Sequence, residues 1–184
     1  MTTLLAIVAL LAPARTLDVV DPAVAVGAPV PWFAGWTADD QVLNRTRLLA
    51  QAAPGTRGFV IVVFATWCVP CAAGLERLAG AHDRLDAAGL KLVLMAHREE
   101  PAAVQPWLAA RGHGATSVIF DRFGRASASL GAERDQRVTL PRTLVLDASG
   151  TVRAVLGAEG PDYLDRIVGA LASPTGPPPR APTP

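Results

Sequence analysis

The stretch "FATWCVPCAAG", Phe64 to Gly74, contains both cysteines of the chain, Cys68 and Cys71, with two residues between them. It overlaps "GFVIVVFAT", Gly58–Thr66, a continuous apolar run that predicts a strand buried on both faces. Residues Val69–Ala88 then predict a helix that stops at the glycine after them. The cysteine pair is therefore expected where a buried strand ends and a helix begins.

Strand-like and helix-like segments alternate along the rest of the chain. We predict helices over Leu43–Ala53, Glu100–Gly112 and Gly160–Ser173, strands over Leu90–Ala96 and Thr116–Phe120, a weak helical turn over Arg122–Gly131, and a hairpin within Arg137–Gly157. Alternating βα units favour parallel strands, and a late hairpin adds antiparallel ones. The predicted fold class is α/β, with a mixed central sheet flanked by helices.

The first residues have the pattern of a secretory signal peptide. An apolar run, Leu4–Ala12, leads into Ala12-Pro13-Ala14, although no Lys or Arg precedes it. An uncleaved anchor or a buried N-terminal helix is the alternative, and the run is short for a membrane span. The predicted organisation is a signal peptide at 1–14, an extended leader over the surface at 15–28, one domain at 29–173, and a disordered Pro-rich tail at 174–184. We therefore expect an exported, periplasmic bacterial protein, tethered to the membrane if the signal is not cleaved.

The composition narrows the function classes. Hydrophobic residues make up 51% of the chain and the formal net charge is +1, with the arginines scattered, so the sequence predicts a globular domain without a nucleic-acid footprint. A disulfide between the two cysteines would close a very short loop, which gives little entropic stabilisation. A purely structural disulfide is therefore disfavoured.

Four functions compete for the cysteine pair. A c-type haem site needs a histidine directly after the second cysteine, where this chain has Ala72. A structural zinc site needs four ligands, and the three histidines lack a zinc-finger spacing. Inert buried thiols and a dithiol that cycles with its disulfide remain. The position favours cycling, because a helix N-terminus stabilises a thiolate.

This geometry assigns a role to each residue of the motif. Cys68 at the helix start would attack, and Cys71, one turn later and more buried, would resolve a mixed disulfide. Pro70 suits a first helical turn because its missing N–H has no partner there. Trp67 would form an apolar platform beside the sulfur, or simply pack as an aromatic side chain.

The segment "VVFATWCVPC" resembles the active-site segment of thioredoxin-fold proteins, and most of all the TlpA-like thiol-disulfide oxidoreductases. The resemblance covers Pro29 to Ser173 and implies a thioredoxin-like three-layer sandwich. A second segment, "TLPRTLVLDASGTV", is similar to the family's cis-proline strand and hairpin. By that resemblance Pro141 is cis and faces the cysteines, and the backbone of Leu140 pairs with an extended substrate. An ordinary trans-proline at a strand start is the alternative.

Three positions depart from the family pattern. Val62 stands where relatives have a buried acid or Asn, Gly74 where many have Glu, and Glu76 where Pro is usual. Neither of the family's two acid positions therefore supplies a base for Cys71. Water or a carboxylate from elsewhere would have to act.

The histidines receive structural interpretations. His82 falls on the helix stripe that packs on the sheet, which predicts a core or boundary histidine. His97 would leave its strand at the cysteine edge of the sheet, with residues 98–100 behind it, in a solvated loop. The alternative is that His97 tunes a thiolate or supplies a proton. His113 is predicted in a loop.

The sequence thus predicts an exported enzyme that reduces protein disulfides with Cys68 and Cys71, without cofactor or metal. Its partners would be disulfide-containing proteins and a thiol electron donor, with no nucleic acid, a membrane contact only through the N-terminal segment, and a monomeric state. A peroxiredoxin-type peroxidase is one alternative, but its motif would need residues that Ile61 and Ala65 do not supply. A non-catalytic binding or chaperone module is the other.

Overall fold

The computed structural model describes residues 24–135, 137–157 and 160–172, so the predicted signal peptide and Pro-rich tail lie outside the described residues. Nine strands and six helices form in this part of the chain. The strands are β1 Ala34–Trp36, β2 Val42–Asn44, β3 Gly58–Phe64, β4 Leu90–His97, β5 Ser117–Asp121, β6 Glu133–Arg134, β7 Arg137–Val138, β8 Arg142–Asp147 and β9 Val152–Leu156. The helices are α1 Arg45–Ala50, α2 Val69–Ala79, α3 His82–Ala87, α4 Pro101–Ala109, α5 Arg125–Ser129 and α6 Tyr163–Gly169. None of these helices has the length and apolar character that crossing a membrane requires.

Seven of the strands form one mixed sheet in the order β2-β1-β5-β4-β3-β8-β9. The three central strands β3, β4 and β5 run parallel, and β8 and β9 add antiparallel pairs on one side. The pairing sets Phe64 beside Ala96 and Ala96 beside Phe120, so the carboxyl ends of the parallel strands meet at one edge. We call this the carboxyl edge of the sheet.

A hydrophobic core covers each face of the sheet. One face packs against α2, α3, α4 and α6, and the other against α1, α5 and the segment before β1. All seven residues of β3 are buried, which explains why that segment is apolar without alternation. The predicted α/β sandwich with a mixed central sheet is confirmed.

Two predicted helices differ from the structure. The helix expected over Leu43–Ala53 is a short strand, β2, followed by α1, because the Asn44 side chain accepts the Arg47 N–H at 2.9 Å and caps a helix that starts one residue later. The helix expected over Val69–Ala88 is interrupted at residues 80–81 into α2 and α3. Both helices bury leucines in the same hydrophobic core, so the predicted apolar face is correct. That face continues across residues 80–81, and the sequence pattern therefore did not reveal the interruption.

The segment before β1 does not run over the surface as predicted. Val24, inside the predicted leader, is buried, and the Gly27 N–H donates to the Val152 carbonyl at 2.8 Å. Gly27 has a φ of +89°, a conformation open to glycine that lets the chain turn onto β9. The end of the predicted leader is thus part of the domain.

Candidate active site

The cysteine motif forms the junction between β3 and α2. Cys68 is the N-cap of α2 with an extended backbone, φ −84° and ψ 100°, and the Cys71 N–H donates to the Cys68 sulfur at 3.3 Å. The Cys68 N–H donates to the Ala65 carbonyl at 3.1 Å, which closes a turn directly after the strand. Pro70 occupies the first turn of the helix. The Cys68 sulfur therefore lies against the free N–H groups of a helix start.

The two sulfurs are joined as a disulfide. The S–S distance is 2.00 Å and the Cα atoms of Cys68 and Cys71 are 5.2 Å apart. Cys71 is completely buried, whereas Cys68 keeps 6% of its surface exposed. Of the two cysteines, Cys68 is therefore the one that keeps some contact with solvent.

Exposed apolar side chains stand on both sides of Cys68. Trp67 is 62% exposed and Val69 is 81% exposed, although neither type of side chain gains from contact with water. The residues directly before and after Cys68 therefore present apolar surface to the solvent.

The Leu140–Pro141 peptide bond is cis. Pro141 directly precedes β8, and Arg142 at the start of that strand pairs with Val63 of β3. The next position in this antiparallel register sets Pro141 beside Phe64, at the carboxyl edge from which the cysteine loop leaves. Leu140 is half-buried, and its backbone N–H and C=O have no hydrogen-bond partner among the described residues.

A carboxylate from another loop holds the cysteine loop. One oxygen of Glu99 accepts the Thr66 backbone N–H at 2.8 Å, and the other accepts the Thr66 hydroxyl. We call this pair of bonds the Thr66–Glu99 clasp. The sequence interpretation of residues 98–100 as a solvated loop missed it, since 33 residues separate the partners. The only sequence signal was that Glu99 follows a strand parallel to β3.

His97 is buried, not solvated as predicted. Only 3% of it is exposed, its Nε2 lies 3.9 Å from a Glu133 oxygen, and its Nδ1 has no hydrogen-bond partner among the described residues. Burial lowers the pKa of His97, and the nearby carboxylates of Glu133 and Asp121 oppose that shift only in part. The prediction failed because β4 extends through His97 and places it under the β6–β7 hairpin.

His113 anchors the far half of the active-site helix. It lies in a loop as predicted, but it is 1% exposed, and its Nε2–H donates to the Leu75 carbonyl at 2.7 Å. Because a carbonyl only accepts, Nδ1 of the neutral ring is left to accept, with Thr116 Oγ1 at 3.3 Å and His82 Nε2 at 3.4 Å. Burial lowers the pKa of His113. His82 is half-buried, as its boundary position on the helix suggested.

Neither of the two positions where relatives have an acid or amide carries one in this chain. Val62 is buried in the core, Gly74 is buried in α2, and Glu76 points outward, 3.7 Å from Arg111. Glu99 is instead the carboxylate that contacts the cysteine loop. No group of three or more metal-binding side chains occurs in the part of the chain that the structure describes.

Comparison with known proteins agrees with this geometry. The model of the AhpC/TSA family matches residues 26–155. The chain belongs to this family. It is 28% identical over 129 residues to the thiol:disulfide interchange protein DsbE of Escherichia coli K12, a match that covers 70% of this chain and 63% of the relative. The chain thus spans less than two thirds of that relative's length.

Solved structures show the same fold. A thiol:disulfide interchange protein of the thioredoxin family from Chlorobium tepidum is 26% identical, with a TM-score of 0.58 over 80% of this chain and 98% of that one. A secreted Mycobacterium tuberculosis disulfide oxidoreductase, described as homologous to E. coli DsbE, is 18% identical, with a TM-score of 0.55 over 76% and 94%. The chain is therefore a thioredoxin-fold member of the AhpC/TSA family and a homologue of thiol:disulfide interchange proteins.

Proposed function

We propose that the protein reduces disulfides of other proteins outside the cytoplasm, through a dithiol-disulfide cycle of Cys68 and Cys71. The observation that carries the proposal is the pair itself: Cys68, the N-cap of a helix with 6% of its surface exposed, is joined in a disulfide to the fully buried Cys71. Such a helix start favours the thiolate that attacks.

The cycle balances in two exchanges. The Cys68 thiolate attacks one sulfur of a substrate disulfide, forming a mixed disulfide and releasing the other substrate sulfur as a thiolate. Cys71 then attacks the Cys68 sulfur, the Cys68–Cys71 disulfide forms, and the substrate leaves with both of its thiols. The substrate gains two electrons in total, together with one proton from Cys71 and one from water, which took up the Cys68 proton when its thiolate formed. A thiol electron donor must return the same two electrons and two protons to the oxidised pair.

Proton handling differs from the acid-assisted pattern of relatives. Neither Val62 nor Gly74 can take the proton of Cys71. The substrate thiolate released in the first exchange is a base of ordinary thiol strength, formed next to Cys68, and it takes that proton.

The surface around Cys68 suits an extended protein segment. The cis Leu140–Pro141 bond lies at the same edge of the sheet, and the unpaired backbone groups of Leu140 offer a donor and an acceptor to a substrate strand. The exposed side chains of Trp67 and Val69 supply apolar contact beside the sulfur. These features favour a protein substrate over a small thiol.

The location and direction of the reaction rest on sequence and relatives. The signal-like residues 1–14 support export, and the M. tuberculosis neighbour is described as secreted. The reducing direction follows from the TlpA-like resemblance. We propose a monomeric protein that works on exported proteins and is reset by a thiol donor.

A peroxidase function lacks support at the residues that it needs. Ala65 and Ile61 occupy the positions of the peroxidatic hydroxyl and proline, and the neighbouring Thr66 hydroxyl is held by Glu99. We expect no consumption of hydrogen peroxide above that of the Cys68→Ser variant.

Insulin reduction tests the proposal. With dithiothreitol as donor, the wild-type protein should accelerate precipitation of the insulin B chain, and Cys68→Ser should lose all acceleration. Cys71→Ser, its matched control, should instead accumulate a mixed disulfide with substrate on Cys68, visible by non-reducing mass spectrometry. If insulin precipitates no faster with the wild-type protein than with dithiothreitol alone, the proposal is wrong. Equal adducts on Cys71 in the Cys68→Ser variant would reverse the assigned roles.

A further inference from the structure

The loop between β4 and α4 contacts the segment before the disulfide and the β6–β7 hairpin. Glu99 holds Thr66, two residues before Cys68, with both of its carboxylate oxygens. Arg98 donates from the same guanidinium nitrogen to both oxygens of Glu133, at 2.7 and 3.0 Å. Glu133 belongs to the β6–β7 hairpin, which leads directly into Leu140 and Pro141. Two neighbouring side chains therefore connect one loop to the cysteine segment and to β6.

The backbone of this loop is fixed in an uncommon conformation. Arg98 has a φ of +55°, a left-handed conformation that residues other than glycine adopt rarely. Its N–H donates to the Asp121 carbonyl at 2.9 Å, which ties the loop to the end of β5. A strained residue persists only where its surroundings hold it, and such residues concentrate at functional sites. Here the turn directs Arg98 and Glu99 to two different segments.

We propose that Glu99 is a positioning residue for Cys68, on which it acts through Thr66. The claim rests on the disulfide-exchange function proposed above. Thr66 precedes the turn that the Ala65 carbonyl and the Cys68 N–H close, so holding Thr66 fixes where the strand releases the chain into α2. The sulfur of Cys68 then meets the first N–H groups of the helix.

The carboxylate also acts by its charge. Two Cα steps separate Thr66 from Cys68, which places the Glu99 charge on the order of 10 Å from the sulfur. At that separation a like charge disfavours the Cys68 thiolate, and it raises the pH at which the thiolate forms by about 0.3 to 1.2 units, depending on the effective dielectric constant. Position and charge therefore have opposite effects on the thiolate, and suitable variants separate them.

Two substitutions and one control form the test. Glu99→Gln removes the charge but keeps a carbonyl that accepts the Thr66 N–H, whereas Glu99→Ala removes the clasp as well. Glu100→Gln is the matched control, since it makes the same charge change in the next residue, which contacts Arg122 at 3.1 Å and not the cysteine loop.

The primary measurement is the alkylation midpoint, the pH at which reduced Cys68 reacts with iodoacetamide at half its maximal rate. A Cys71→Ser background restricts the reaction to Cys68. Glu99→Gln should lower the midpoint by about half a unit, equivalent to about threefold faster alkylation below it. Glu99→Ala should have a higher midpoint than Glu99→Gln, because the two differ only in the clasp. Glu100→Gln should match the parent.

The equilibrium of the intact pair with glutathione gives a second readout. A more stable Cys68 thiolate makes the reduced form more stable, so Glu99→Gln should be reduced at a lower ratio of reduced to oxidised glutathione. Equal midpoints and equal glutathione ratios for Glu99→Gln, Glu99→Ala and Glu100→Gln would overturn the inference. Neither measurement uses a protein substrate. A failed insulin assay of the wild type therefore rejects the proposed function, and a failed midpoint shift rejects only the role of Glu99.

Discussion

The two ends of α4 hold the active-site unit in contrasting ways. Before α4, Glu99 clasps Thr66 with a partly exposed carboxylate; after α4, His113 donates to Leu75 from a buried neutral ring. Both contacts fix α2 or the loop that starts it. They differ in charge and in distance from the disulfide. We expect loss of the Thr66–Glu99 clasp to change mainly the ionisation and the redox equilibrium of Cys68. Loss of the buried His113–Leu75 bond should change mainly the free energy of unfolding.

The largest expected effect is the loss of the His113 contact. His113→Ala leaves the buried Leu75 carbonyl without a donor and opens a cavity beside α2, which should cost about 2 to 4 kcal/mol of unfolding free energy. Urea denaturation of the oxidised protein measures this loss. His82→Ala is the control, since half-buried His82 contributes only the longer 3.4 Å contact. Equal losses in both variants would show that the Leu75 bond contributes no special stability.

The middle of α4 should give an intermediate effect. The Trp107 ring stacks on Phe64, the last residue of β3, with centroids 5.8 Å apart, and Arg111 lies 3.9 Å above the same indole. Trp107→Leu keeps an apolar side chain but loses the stacking, so we expect about 1 to 2 kcal/mol of destabilisation. The alkylation midpoint of Cys68 should stay unchanged. A shift of that midpoint would mean that packing, as well as the clasp, positions the cysteine loop.

The sequence predicted those parts of this unit that local chemistry determines. The β3 strand, the position of Cys68 at a helix start and the greater burial of Cys71 all follow from residues within one short stretch. The cis bond before Pro141 came from a motif resemblance. The clasp and the His113 bond could not be predicted in the same way, because they join residues 33 and 38 positions apart through the conformations of two loops.

Burial also decided what pattern alone could not. His97 and His113 were both assigned to loops, yet both are almost completely enclosed. A loop assignment describes the backbone, whereas exposure depends on which elements pack over it. For His97 the covering element includes the β6–β7 hairpin, whose two strands have two residues each and show no detectable periodicity in sequence.

Acid pH should weaken the fold through these two histidines. Burial lowers the pKa of His97 and of His113, so below about pH 6.5 the unfolded chain binds protons that the folded chain does not. Stability is therefore fully present above pH 6.5 and falls as the pH decreases towards the folded pKa values. Each histidine contributes a slope of at most about 1.4 kcal/mol per pH unit.

Urea denaturation between pH 7.5 and pH 5 measures that slope. His113→Gln and His97→Gln should each remove the contribution of one histidine to the pH dependence of the unfolding free energy. The double variant should remove both contributions. A slope that survives in the double variant would assign the acid sensitivity to other groups. Because neither histidine touches the sulfurs, the glutathione equilibrium at pH 7 should not change in either single variant.

The smallest stability effect should come from the charged clasp, and there the contrast between the two ends is sharpest. Thr66→Val removes the hydroxyl that donates to Glu99 but keeps the backbone N–H. We therefore expect the unfolding free energy to fall by about 1 kcal/mol or less. Thr66→Ser keeps the hydroxyl and should remain close to the wild type.

The decisive comparison combines Thr66→Val with Glu99→Gln in a double-mutant cycle. If the hydroxyl and the carboxylate act together, the two substitutions should cost less in combination than the sum of their separate costs, by about 0.5 kcal/mol. The same cycle measured on the alkylation midpoint should show coupling, whereas a cycle between Glu99→Gln and His113→Gln should be additive in both quantities. Additivity of Thr66→Val with Glu99→Gln would mean that the Thr66 hydroxyl has no part in the effect of Glu99 on Cys68, which would then act through its charge and through the Thr66 N–H bond that both variants keep.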